Sequence, residues 1–153
     1  MRACLALTAF LTAACGAQCP APAEPPAAEP LDAAVIDASD VVTRWAPSGK
    51  ARVDIFVTGV NAFLARLTME AGASVPEHRD PTEEYIHVLA GSGTITLDGV
   101  DHQVGPGDTV FMPANVLVTY HNGDEQMQAI QVFAGPGPAK KYDSWLEEPP
   151  PSS

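Results

Sequence analysis

Asp98-Gly99 sits at the centre of "GTITLDGVDHQV", between two short runs in which apolar and polar residues alternate. A two-residue connection of this kind requires φ > 0 at both positions, which Asp and Gly reach at low cost, and its twist matches that of paired strands. The stretch therefore predicts an antiparallel hairpin. Upstream, "NAFLARLTME" repeats the same period. Phe63, Ala65, Leu67 and Met69 share one face, and Leu64, Arg66, Thr68 and Glu70 share the other, as in a half-buried strand. "GPGD" at 105–108 and "GDEQ" at 123–126 read as further turns, with "TVFMP", "VLVTYHN" and "MQAIQVF" as the strands around them. With 15 Pro and 12 Gly among 153 residues, tight turns outweigh long helices. Seven or eight short strands at this spacing make an antiparallel, all-β sandwich or barrel.

The two ends differ from this body. "MR" followed by "ACLALTAFLTAA" gives a positive start and a twelve-residue apolar stretch, too short to span a bilayer and suited to a secretory leader. "LTAAC" resembles a bacterial lipoprotein box, which implies lipidation at Cys15, a membrane anchor, and a place outside the cytoplasm, periplasmic or at the cell surface. Residues 1–19 are thus expected to be a signal and lipidation region. Residues 20–40, rich in Pro and Ala, are expected to be a solvated linker, residues 41–145 the barrel, and residues 146–153 a disordered tail. All three cysteines (Cys4, Cys15, Cys19) precede the body, which excludes a thiol nucleophile or a Cys-ligated zinc there. The net charge of −11 excludes nucleic acid as a partner, since no basic stripe is present to neutralise phosphates.

The segment "HRDPTEEYIHVLAG", His78 to Gly91, concentrates the candidate chemistry. Gly72, His78, Asp80, Glu84 and Gly91 fall at the spacing of the first cupin motif, a Gly, five residues, His-x-His, three or four residues, Glu, six residues, Gly. Gly107, Pro113, Asn115, Val118 and Asn122 fall at the spacing of the second, a Gly, five residues, Pro-x-Gly, two residues, His, three residues, Asn. Over Gly72–Asn122 the chain therefore resembles the cupins, small jelly-roll (double-stranded β-helix) barrels. That resemblance implies one divalent cation held by the first motif's two His and Glu together with the second motif's His. Here Asp80 replaces one His and Val118 another. His78, Asp80 and Glu84 remain as candidate ligands for Mn, Fe or Ni. The set is depleted and, with two carboxylates, biased towards hard cations.

Strand alternation puts Val118 and Tyr120 on the interior face and turns His121 outward. His87 lies three residues from Glu84 on the opposite face, and His102 lies in the hairpin. Val118 and Tyr120, with Phe111 and Met112, are expected to line the cavity. Arg79 is expected to neutralise part of the Asp80, Glu83 and Glu84 cluster, with Glu83 in solvent. His78-x-Asp80 with a distal His121 also resembles the facial triad of 2-oxoglutarate-dependent oxygenases, but the position ten residues beyond His121 is Gln131 rather than a basic residue, and the cupin spacing accounts for the same residues better.

Two functions follow as expectations. The first is an exported protein that binds or senses a small-molecule ligand through a depleted metal-type site. The second is a metal-dependent enzyme, a dioxygenase or isomerase, using His78, Asp80 and Glu84 as ligands. The family likeness also implies a homodimer joined through sheet edges.

Overall fold

The computed structural model describes residues 32–151; Cys15, the leader, most of the linker and the last two residues lie outside them. Ten strands follow in order: β1 (Val42–Trp45), β2 (Ala51–Thr58), β3 (Phe63–Met69), β4 (Ser74–His78), β5 (Glu84–Ala90), β6 (Gly93–Leu97), β7 (Val100–Val104), β8 (Thr109–Met112), β9 (Val118–Asn122) and β10 (Met127–Phe133). They form a six-stranded sheet, β1-β2-β3-β10-β5-β8, and a four-stranded sheet, β4-β9-β6-β7. Every pairing is antiparallel. This is the antiparallel all-β architecture that the turn spacing predicts, and the jelly-roll barrel that the cupin resemblance implies.

The hairpin forms as its sequence requires. Leu97 pairs with Val100, and the two turn residues have φ of 46° and 85°, the left-handed pair of a type I′ turn. Asn115 also has a positive φ, 66°. It stands where the second cupin motif has glycine, and Asn is among the few residues that tolerate this region.

Side-chain alternation divides the interior into two clusters. Met69, Val88, Ile95, Val110, Met112, Val118, Tyr120 and Met127 line the space between the sheets. Val53, Phe63, Ala65, Phe133, Ala139 and Tyr142 form a second, tighter cluster at one end. There the Phe63 ring lies 5.6 Å from Phe133 and 5.9 Å from Tyr142.

Tyr142 comes from a 3-10 segment, Gly137–Ser144, which the sequence pattern does not announce. It follows Gly135 at φ 104° and ends where Trp145 turns extended. Trp145 meets Tyr142 edge-on, with centroids 4.9 Å apart. Leu146, expected to begin the tail, exchanges backbone hydrogen bonds of 2.8 and 2.9 Å with Trp45, so the ordered body runs past residue 145.

Candidate ligand cavity

The wider cluster is hollow. A cavity of about 470 Å³ opens between the sheets. Most of its wall is apolar, from Leu67, Met69, Ile86, Val88, Ile95, Val110, Met112, Val118, Met127 and Trp145. One group of polar side chains clusters together, His78, Asp80, Glu84, Gln131, Lys141 and Tyr142, while Ser48, Lys50 and Ser74 also reach the lining. Such contrast is typical of small-molecule sites, where apolar surface gives affinity and a few polar groups fix orientation.

Strand parity explains the lining. On β5, Glu84 and Val88 are buried and Tyr85, His87 and Leu89 are exposed. On β9, Val118 and Tyr120 are each only 7% exposed, whereas His121 faces out. Tyr120 lies across Gly93, where a Cβ would stand 2.2 Å from the phenol oxygen. Only glycine admits the ring there.

Phe111 does not line the cavity as expected. β8 pairs Met112 with Glu84 and Phe111 with Tyr85, so Met112 takes the inward parity and Phe111 the outward one. Phe111 is 50% exposed and lies 5.2 Å from the Tyr85 ring, centroid to centroid.

The motif residues do converge. Ligand atoms of His78, Asp80 and Glu84 lie within 4.8 Å of one another, a grouping that could hold a metal ion. His78 ends β4, Glu84 begins β5, and the loop between is tied to the second motif by the Asn115 N–H donating to the Asp80 carbonyl at 2.7 Å. The Pro76 carbonyl accepts from His78 Nδ1 at 2.9 Å. A carbonyl can only accept, so in the neutral ring Nδ1 carries the proton and Nε2 offers its lone pair. Nε2 lies 3.9 Å from Asp80 Oδ2.

Arg79 is not the cation that balances this cluster. Its guanidinium turns to the Asn115 carbonyl and to Asp98, 3.9 Å away, because its position in the loop directs it outward. The countercharge is Lys141, whose Nζ donates to Asp80 Oδ2 at 3.2 Å. The ammonium also lies 4.7 Å from the centroid of Phe133 and 5.7 Å from that of Tyr142, within cation–π range.

Behind Glu84 runs a hydrogen-bond chain that sequence reasoning did not find. Tyr142 Oη donates to Gln131 Oε1 at 2.7 Å, and Gln131 Nε2 donates to Glu84 Oε1 at 2.7 Å. Burial raises the Glu84 carboxyl above its ordinary pKa, and the Gln131 hydrogen bond and the Lys141 charge offset this only in part. Desolvation likewise raises Tyr142, whose phenol stays protonated. Gln131 had a signal in the sequence: in "MQAIQVF" it shares the buried parity of Met127, Ala129 and Phe133. Lys141 had none.

The remaining histidines are apart from this group. His121 Nδ1 bonds Ser74 Oγ at 2.8 Å and His87 Nδ1 bonds Thr109 Oγ1 at 2.9 Å, both on exposed surface; His102 is exposed on β7. No distal histidine completes a facial triad with His78 and Asp80 among the described residues. A resident metal ion therefore finds three donors, an apolar fourth corner at Val118, and an ammonium already on Asp80. The set fits a weakly held, partly hydrated ion better than a fully ligated one.

Residues 65–133 match the family model described as Cupin domain. The fold is the cupin fold. An uncharacterized protein of Streptomyces coelicolor is 26% identical over 81 residues, which are 53% of this chain and 77% of that protein. Among solved structures, KdgF from a Halomonas species superposes with a TM-score of 0.61 at 15% identity, covering 68% of this chain and 94% of that one. An RmlC-like cupin from Shewanella frigidimarina gives 0.59 at 16% identity, covering 65% and 87%. The polyketide cyclase RemF from Streptomyces resistomycificus gives 0.58 at 20% identity, covering 67% and 79%. At these identities the likeness is one of cupin architecture.

Proposed function

We propose that this cupin barrel binds or senses a small, mostly apolar molecule carrying one polar end. The observation that carries this reading is the asymmetry of the 470 Å³ cavity, apolar over most of its wall with one cluster of polar side chains. On the polar side Lys141 answers Asp80, and burial raises the Glu84 carboxyl above its ordinary pKa, so this cluster already carries its own countercharge. Native mass spectrometry of the purified chain is expected to release a bound molecule, and Val118→Phe, which fills the cavity, is expected to abolish it. A chain with no bound molecule, together with equal thermal shifts for parent and Val118→Phe across a ligand library, would overturn the reading.

The convergence of His78, Asp80 and Glu84 favours a second reading, a metal-dependent dioxygenase or isomerase. Stoichiometric Mn, Fe or Ni in the purified native chain would support it over the first.

Export with a lipid anchor on Cys15 is part of the proposal and rests on the leader and "LTAAC" alone. Fatty-acid labelling that persists in Cys15→Ala would refute it. A homodimer is proposed from the family likeness. It is supported by an outward row running through successive strand pairs, Val57–Leu64–Val132–Tyr85–Phe111, in which Val57, Tyr85 and Phe111 are exposed. Sedimentation of Phe111→Glu as dimer, or of the parent as monomer, would count against that face.

A further inference from the structure

We propose that Lys141 is the resident cation of the barrel mouth, an ammonium supplied by the chain where the carboxylate cluster would otherwise take an ion from solution. The inference rests on the first of the two readings, a cavity for a small molecule, but its test reads metal binding rather than ligand binding, so failure of one is distinguishable from failure of the other.

Two observations meet at the ammonium. It donates to Asp80 at 3.2 Å. It lies over the face of Phe133, which is 0% exposed, and beside Tyr142, 3% exposed. A carboxylate in front and aromatic faces behind are the parts of a cation site. The backbone that carries Lys141 is fixed by its neighbour: Tyr142 is locked in the tight cluster against Phe63 and Trp145. The side chain itself is 37% exposed, so it reaches the cluster from the rim and can be displaced.

A divalent ion among His78, Asp80 and Glu84 would lie within a few ångströms of this ammonium. The two positive charges would repel, and Asp80 would have to give up one for the other. Lys141 thereby selects against metal without filling the cavity, and it leaves the apolar wall free for a ligand.

The experiment is titration of the full chain with Co(II), followed by its visible absorption, and with Mn(II), followed by calorimetry. Lys141→Met, which keeps the stem and removes the charge, is expected to bind either ion at least tenfold more tightly than the parent. It is also expected to gain thermal stability on metal addition where the parent gains little. Asp80→Asn/Lys141→Met removes both partners, so it should fold without metal and show no gain in affinity. Should Lys141→Met fold poorly, Lys141→Gln, which removes the charge but keeps a donor for Asp80, is expected to show the same gain in affinity. Equal affinities for parent and Lys141→Met, or tight stoichiometric binding by the parent, would overturn the proposal.

Discussion

The two interior clusters share strands β3 and β10 and differ in filling. Around Phe63, Phe133 and Tyr142 the side chains meet in aromatic contact, with Phe63 and Phe133 at most 1% exposed. Around Val88, Met112, Val118 and Met127 the side chains are also buried, yet they enclose 470 Å³. Protein interiors ordinarily close such space, because unfilled volume forfeits dispersion contacts. A barrel that keeps it open needs rigidity from elsewhere. The filled cluster supplies it, and also seats the 3-10 segment that carries Lys141.

The comparison can be broken at several points. Phe133→Ala, in the filled cluster, should cost about 3–5 kcal/mol of folding free energy in denaturant titration, and should loosen Lys141 through loss of the ring beneath it. A cost under half of this would mean that the cluster is not close-packed. Met112→Ala, on the cavity wall, should cost less, about 2 kcal/mol, since it widens a space already present. If it equals Phe133→Ala, the hollow–filled distinction fails. Gly93→Ala should cost about 1–3 kcal/mol in denaturant titration through overpacking against Tyr120 and the His121 backbone carbonyl, and a neutral substitution would contradict that close approach. The smallest effect is one of pH. The Glu84 carboxyl is raised by burial from 4.5, so its contribution to stability is full below the unfolded value and is lost as pH rises through the folded one. Glu84→Gln lacks this loss. Relative to the parent, its stability should therefore increase as pH is raised through that window, and a flat difference would contradict the burial account. For the polar side of the cavity, Asp80→His/Val118→His restores the missing imidazoles, and elemental analysis should find more Mn, Fe or Ni than in the parent.

Much of this architecture is legible in the sequence because strand parity is a strict rule. Period two places Phe63, Ala65 and Met69 inside, sends Val118 and Tyr120 into the barrel, and turns His121 out. The same rule, applied to β8, would have turned Phe111 out once Met112 was taken as inward. The loop from His78 to Glu84 is legible as a motif, but not the direction of Arg79 within it, which backbone geometry decides. The stretch 137–144 was hidden for a different reason. Its 3-10 backbone has neither the strand nor the α-helical period, so nothing in "GPAKKYDS" marks Lys141 as facing a carboxylate 61 residues earlier.

Gly93 has one more consequence. The phenol of Tyr120 and the His121 carbonyl both close on a bare α-carbon, so the spacing between β6 and β9 at this point, and with it the seat of one cavity-lining ring, is set by the absence of a single methyl group.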